Sequence, residues 1–164
     1  APDANISIIS PELGAQLAAI EAGGSIVREP TPVPPKLAEL TPEQVFAGMP
    51  EDLAAAVQSA VPADGATIAL SVAVPACVGC HLMDPAIAGA GPTWHNVGDA
   101  AVEHALRAGQ PGPAEYLHQS IIAPSAFVVP GFTSGIMPET YEAALSQDDL
   151  ATLIAYLLSL NGQP

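Results

Sequence analysis

Cys77-Val78-Gly79-Cys80-His81 is the stretch that decides the fold of this chain. It matches C-x-x-C-H, the attachment motif of c-type haem, in which two thiols add to the vinyl groups of one porphyrin. The adjacent histidine is then an axial ligand of the iron. No other cysteine occurs in the chain. The motif therefore predicts one covalent haem c, held by Cys77, Cys80 and His81.

Other uses of two nearby cysteines fit the sequence less well. A dithiol redox site is expected beside a βαβ pattern, which we do not find. Structural zinc usually has four Cys or His ligands. A second cysteine pair is absent, and the spacings of His95, His104 and His118 fit no compact zinc module. A disulfide between the two cysteines stays open at this point.

The second axial ligand decides between electron transfer and ligand chemistry at the iron. Met83 is too close to His81 to reach the opposite face, and Met49 precedes the motif. Met137 lies well downstream, in a loop that contains glycine and is stiffened by the next residue, Pro138. A thioether favours ferrous iron and keeps the metal six-coordinate, which suits a carrier. We expect Met137 as the ligand, with bis-imidazole ligation by one of the other histidines as the alternative.

The charge of the chain restricts its partners. It has 17 acidic and 3 basic residues, a formal net charge of −14. Nucleic acids and anionic lipid surfaces are disfavoured as partners, because both require clustered Lys and Arg. A protein with a positively charged docking surface is favoured, and acidity that serves solubility alone is the alternative.

The expected location follows from the haem motif and from hydropathy. No segment reaches the ~18 consecutive apolar residues typical of a membrane span, so we expect no transmembrane segment. Because c-type haem is attached outside the bacterial cytoplasm, we expect a removed leader and an extracytoplasmic, periplasmic location, at the membrane through partners or an anchor. A lipidated residue upstream of Ala1 stays open.

Prolines divide the chain into two regions. They cluster in the first region at Pro30, Pro32, Pro34, Pro35 and Pro42. We predict that residues 1–62 form an extended arm with short helices, draped on a partner, with disorder in isolation as the alternative. One short helix is predicted over residues 13–20, and others start after Thr41 and Pro50.

Residues 63–164 are predicted to be a compact all-α domain of four to five helices around the haem. Helices are predicted at 66–74, 100–108 and 114–122. The last helix has the clearest pattern, because Ser146 and Asp149 resemble a capping box. Its apolar residues repeat at three and four, which predicts one buried stripe: Leu150, Leu153, Ile154, Leu157 and Leu158.

From about Asp64 to Leu160 the chain resembles a class I cytochrome c. Besides the haem motif, the resemblance rests on Gly91-Pro92, Trp94, Met137-Pro138 and Tyr156-Leu157-Leu158. It implies the fold of that family, with the Pro92 carbonyl accepting the second N–H of the axial histidine. It also implies that Trp94 lines the haem crevice, and we expect Phe132 to shield the porphyrin as well.

The chain departs from the family pattern in two places. Where the first helix of the family carries a glycine and then an aromatic residue, this chain has Gly65 and then Ala69. We therefore expect Ile68 or Leu70 to contact the last helix, with Tyr156 packing against the first. Arg107 is expected either to pair with a haem propionate or to be a plain surface residue.

A narrower resemblance concerns Tyr116-Leu117-His118-Gln119-Ser120-Ile121-Ile122 and the residues up to Phe132. This stretch is similar to cytochrome c domains of respiratory complexes, including subunit II of some oxidases and the mono-haem subunit of alternative complex III. Residues 1–62 contain no Cys or His for a copper domain, which disfavours the oxidase.

The expected function is one-electron transfer without substrate chemistry, so the chain is a carrier and has no catalytic residue. Its expected partners are redox proteins, and the resemblance favours other subunits of a quinol-oxidising membrane complex. A free or lipid-anchored carrier is the alternative. From another class, a haem enzyme or gas sensor with a displaceable distal ligand stays open.

Overall fold

A computed structural model describes residues 33–87 and 89–162, and all the regular structure in those two ranges is helical. The predicted all-α class is confirmed. The helices are α1 (Pro42–Val45), α2 (Glu51–Ser59), α3 (Pro62–Val72), α4 (Val97–Ala108), α5 (Pro113–Ile122), α6 (Tyr141–Ala144) and α7 (Gln147–Ser159). Short 3₁₀ turns occur at Leu37–Glu39 and Cys77–Gly79. The helix predicted over 13–20 lies outside the described residues.

Four of the other helices contact α7. Ser146 caps this helix as predicted, since its Oγ accepts a hydrogen bond from the Asp149 backbone N–H at 3.1 Å. Leu153 and Ile154 lie on the predicted stripe and are almost completely buried. Helices α2, α3, α4 and α5 all pack against α7. The apolar stripe therefore forms the centre of the core.

Helices α4 and α5 agree with the predictions for 100–108 and 114–122, although both begin earlier. Gly109 ends α4 with a φ of 69°, in the left-handed region that favours glycine after a helix. Pro113 is the first residue of α5. A backbone N–H at this position has no acceptor within the helix, so proline, which lacks the N–H, is well tolerated there. The two helices pack on each other and on α7.

Helix α3 changes its helical type along its length. It begins as a 3₁₀ turn at Pro62–Asp64, continues as an α turn at Gly65–Thr67 and ends as a π turn at Ile68–Val72. The Ala73 N–H donates to the Ile68 carbonyl at 2.9 Å, which closes the π turn. The helix predicted at 66–74 therefore begins earlier than expected and ends before Pro75.

The crossing of α3 and α7 depends on Gly65. A Cβ at this position would lie 2.3 Å from the Tyr156 Cβ and 2.7 Å from the Thr152 carbonyl oxygen, so the backbone of α3 touches α7 directly. Tyr156 thus packs against α3, the helix that precedes the haem motif, as the resemblance implied. Of the two alternatives expected at this contact, Ile68 is buried and Leu70 is 60% exposed, so Ile68 is the one that packs into the core.

Replacing Gly65 with Ala tests this crossing. Alanine favours a helix by about 0.5–1 kcal/mol relative to glycine, but an overpacked core contact costs about 1–3 kcal/mol, so we expect a net loss of stability. Chemical denaturation of the intact chain measures it. The matched control is Gly79→Ala, because no atom lies within 4 Å of the added Cβ there. Equal stabilities of the two variants would contradict the close crossing.

The predicted domain boundary at residue 62 was wrong. The compact unit spans Pro34–Pro164, and the other unit, Ala1–Val33, has only Val33 within the described residues. Residues 34–62 belong to the domain because Leu53 and Val57 on α2 are buried in its core. The Leu37 N–H also donates to Asp99 Oδ1 at 3.0 Å. The prolines suggested an extended arm and gave no indication of this packing. Residues 1–32 of the predicted arm lie outside the described residues, and draping of this part on a partner stays a prediction.

No single helix in the part of the chain that the structure describes is long and apolar enough to span a membrane. Only α2 and α3 taken together, with a bend of 94° at their junction, reach the required length and hydropathy.

Candidate functional site

One apolar cleft brings together the residues singled out from the sequence. It encloses about 1090 Å³ of empty space, its open mouth included. Its walls come from the segment around the motif, from α5, from the loop before α6 and from α7. All seven predicted site residues line it: Cys77, Cys80, His81, Pro92, Trp94, Phe132 and Met137.

The two thiols are held on one side of the cleft by a tight turn. The 3₁₀ turn Cys77–Gly79 is closed by hydrogen bonds from the backbone N–H groups of Cys80 and His81 to the Cys77 carbonyl, at 3.1 and 3.0 Å. Both cysteines are free, so the structure has no disulfide between them. Burial raises the pKa of the Cys77 thiol, with a smaller opposing effect from a backbone hydrogen bond.

The imidazole of His81 is fixed by one hydrogen bond. Its Nδ1 lies 2.9 Å from the Pro92 carbonyl oxygen, which can only accept, so Nδ1 carries the proton. In the neutral ring Nε2 is then the atom with a free lone pair. Burial lowers the pKa of His81 against the smaller raising effect of this hydrogen bond, which favours the neutral ring. The ring is therefore held ready to bind a metal through Nε2.

Two neighbours determine where the His81 ring can lie. A Cβ on Gly91 would come within 2.5 Å of the imidazole Cε1, so a side chain at residue 91 would displace the ring. Trp94 stacks on the imidazole, with ring centroids 5.1 Å apart and an interplanar angle of 16°. The Trp94 ring meets Tyr156 of α7 edge-on at 6.4 Å. The His81 ring thus packs on Trp94, which packs on Tyr156, a residue at the crossing of α3 and α7.

The three methionines have different positions. Met137 lines the cleft and is partly buried against the core. Met49 is a core residue with 8% of its surface exposed, and Met83 is 42% exposed; neither lines the cleft. Phe132, at 36% exposure, lies in the same loop as Met137 and contributes to the wall near solvent.

A smaller recess of about 500 Å³, open space included, shares part of these walls. His104 of α4 lines it, and its Nδ1 lies 3.3 Å from the hydroxyl oxygen of Tyr116. His95 and His118 line neither space. His118 instead pairs with Glu115 at 3.1 Å. Of the alternative imidazole ligands, only His104 is thus near the cleft.

Arg107 lies outside the cleft walls. It forms an ion pair with Glu103 one turn earlier on α4, and its side chain is 54% exposed. Lys36 does not line the cleft either. The walls described here therefore carry no Lys or Arg.

Sequence reasoning missed several residues of the site. Tyr141 lines the cleft and its hydroxyl donates to the Pro75 carbonyl oxygen at 2.7 Å, joining α6 to the segment before the motif. Burial raises the pKa of this phenol. Tyr116 and Ser120, one helical turn apart on α5, line both spaces. Their spacing of four residues predicts that they share one face of a helix, but no pattern in the sequence indicates that this face lines the cleft.

The donor set agrees with a covalent porphyrin better than with a bare metal ion. Two free thiols, an oriented imidazole and a thioether line apolar walls. Among residues 33–87 and 89–162, no three His, Cys, Asp or Glu side chains converge on one point. A zinc site would need such a group.

Comparisons of the chain with protein-family models, with curated proteins and with solved structures found no significant match.

The buried His104 predicts a loss of stability in acid. Burial lowers its pKa, with a smaller raising effect from Glu103 and a lowering one from Arg107. The unfolded chain therefore binds more protons near pH 6.5, so stability falls as the pH drops through about that value. His104→Gln should lose less stability between about pH 7 and pH 5, measured by denaturation at each pH. Leu106→Ser changes an exposed residue of the same helix, keeps the histidine and should retain the wild-type loss; an unchanged loss in His104→Gln would refute the assignment.

Proposed function

We propose that this chain is a class I cytochrome c that carries one covalent haem c and transfers single electrons. One observation supports this most strongly: both motif thiols, the oriented His81 ring and Met137 line the same apolar cleft. When bound, a haem supplies reversible one-electron reduction of its iron. Cys77 and Cys80 would hold it through thioether bonds, and His81 and Met137 would ligate the metal.

The surrounding residues have supporting roles. Pro92 keeps Nδ1 of His81 protonated, which leaves Nε2 for the iron. Trp94 and the other apolar walls exclude water, which lowers the local dielectric constant and favours the less charged redox state. Met137 would supply a soft sulfur ligand, which raises the reduction potential of a haem iron. With both ligands supplied by the chain, the iron would keep its coordination during electron transfer, which suits a carrier.

We further propose that the protein works on the extracytoplasmic side of a membrane as a subunit of a quinol-oxidising complex. The resemblance of residues 116–132 to cytochrome c domains of respiratory complexes supports this. The net charge of −14 supports a partner with a basic surface.

Haem attachment is tested by producing the chain with an extracytoplasmic maturation system for c-type cytochromes. We expect a red protein whose denatured mass exceeds that of the peptide by one haem. Cys77→Ser with Cys80→Ser removes both thiols and should give colourless material of peptide mass. Gly79→Ala alters the motif without changing a thiol and should keep the haem. Wild-type protein without covalent haem would refute the proposal.

Carbon monoxide tests the role of Met137. The reduced wild-type protein should not bind it at neutral pH, because a carrier has no open position. Met137→Ala should bind it, and the weak near-red absorption of the oxidised protein should disappear. Met83→Ala changes an exposed methionine outside the cleft and should behave like wild type. Binding to the wild-type protein would instead favour a haem enzyme or gas sensor.

A further inference from the structure

The loop that carries Met137 is buried only at its two ends. It spans residues 123–140, between α5 and α6, and we call it the Met137 loop. No residue from 125 to 140 is buried, whereas Pro124 and Tyr141 both are. Gly131 and Gly135 have φ values of 96° and 78°, and no atom would lie within 4 Å of a Cβ added to either. The position of the loop therefore depends on how its ends are attached.

Hydrogen bonds hold the middle of this loop only to itself. In the described part of the chain, the backbone bonds of residues 125–139 stay local: Ala126 N–H donates to the Ala123 carbonyl and Phe132 N–H to the Val129 carbonyl. At the first end, the Phe127 ring also meets Tyr116 of α5 edge-on at 6.0 Å. That contact is ten positions before Met137 in the chain, whereas Tyr141 is only four positions after it. The second end is thus the closer restraint on the methionine.

Tyr141 attaches this second end to the segment before the haem motif. It is 4% exposed, and its hydroxyl donates to the Pro75 carbonyl oxygen at 2.7 Å. Pro75 comes two positions before Cys77, and all three residues line the cleft. Burial raises the pKa of the phenol most, and negative charge on Cys77 and Cys80 raises it further, so the hydroxyl keeps its proton and can donate. The hydrogen bond therefore joins the Met137 loop to the segment that leads into the motif.

The two predicted iron ligands are held in different ways. His81 follows directly from the motif turn, and its ring is fixed by the Pro92 carbonyl at 2.9 Å. Met137 is half-buried, and methionine has a flexible, unbranched side chain whose sulfur is a neutral, soft ligand. Since the loop itself makes no hydrogen bond to another segment, the bond from Tyr141 to Pro75 is the nearest one that can hold Met137 at the cleft.

We infer that Tyr141 is a positioning residue for Met137: its hydrogen bond to Pro75 keeps the Met137 loop closed on the cleft, so that the sulfur stays available to an iron. This inference rests on the proposed haem function and identifies what keeps the distal position occupied. When the hydrogen bond breaks, the loop can move away and an external ligand can reach the iron. A role of Tyr141 in the stability of the core alone is the alternative that the experiment must separate.

The test is the binding of imidazole to the oxidised haem protein. Imidazole competes with Met137 for the iron, and loss of the near-red absorption reports its binding. Tyr141→Phe removes the hydroxyl and keeps the ring. Because one hydrogen bond of the closed loop is lost, we expect this variant to bind imidazole about fivefold more tightly than wild type. An affinity equal to that of wild type would overturn the inference.

Two control variants show whether the effect is specific. Tyr156→Phe removes a phenol hydroxyl from α7, outside the walls of the cleft. Val57→Ala leaves the loop intact but should lower the free energy of unfolding, because it removes buried methyl groups from α2. Both variants should bind imidazole with wild-type affinity. Tighter binding by Val57→Ala would assign the effect to a general loss of stability and would overturn the inference.

The rate of binding separates opening of the loop from a change inside the cleft. At high imidazole concentration the rate reaches a plateau, which is the rate at which the loop opens. Tyr141→Phe should raise this plateau in stopped-flow measurements. An unchanged plateau, with slower release of imidazole, would instead place the effect in contacts of the bound imidazole and would contradict a role in loop closure.

A second pair of variants tests the link between Tyr141 and Met137 without altering either residue. Glu139→Gly adds backbone freedom to this link, whereas Glu139→Ala removes the same exposed carboxylate without adding that freedom. We expect the glycine variant to bind imidazole more tightly than the alanine variant. Equal affinities in this pair would overturn the inference even if Tyr141→Phe failed to fold.

The proposed function and this inference fail in different ways. A colourless wild-type protein would overturn the proposed function. A coloured wild-type protein that loses its near-red absorption in Met137→Ala, together with wild-type imidazole affinity in Tyr141→Phe, would overturn only the role of Tyr141.

Discussion

The hydrogen bond between Nδ1 of His81 and the Pro92 carbonyl is the interaction on which the site depends. It determines which nitrogen of the ring is protonated and in which direction the other nitrogen can bind. The ring fits only because residue 91 is a glycine, and Trp94 transmits its position to α7 through Tyr156. His81 therefore packs on Trp94, and Trp94 packs on Tyr156, the same residue of α7 that lies against Gly65 of α3.

Patterns local in the sequence predicted much of this structure. The caps at Thr41 and Ser146, the end of α4 at Gly109 and the apolar stripe of α7 depend on residues within one or two turns. Contacts between distant segments were predicted less well. At the crossing of α3 and α7, Gly65 lies against Thr152, which is 87 positions later in the chain. No periodicity of the sequence predicts a contact between residues so far apart. The boundary at residue 62 was wrong because the prolines suggested an extended arm. The same region contains α2, whose Leu53 and Val57 are buried in the core of the domain.

Four of the seven predicted residues that line the cleft were singled out for a chemical reason: Cys77, Cys80, His81 and Met137. Thiols, imidazole and thioether are rare side chains with few roles, so their presence in one short motif and one loop narrows the chemistry. Tyr141, Tyr116 and Ser120 have many roles in proteins, and only the structure assigns them to the cleft.

The packing of α2 and α3 on α7 has a consequence for the order of folding. The side chains of Asp52 and Gln147, 95 positions apart, share a hydrogen bond of 2.8 Å, so the two ends of the domain meet. Until α7 has formed, α2 and α3 lack the helix on which they pack, and such long-range pairing forms late. The segment from α2 to the turn that carries Cys77 and Cys80 therefore becomes fixed only when α7 docks on it.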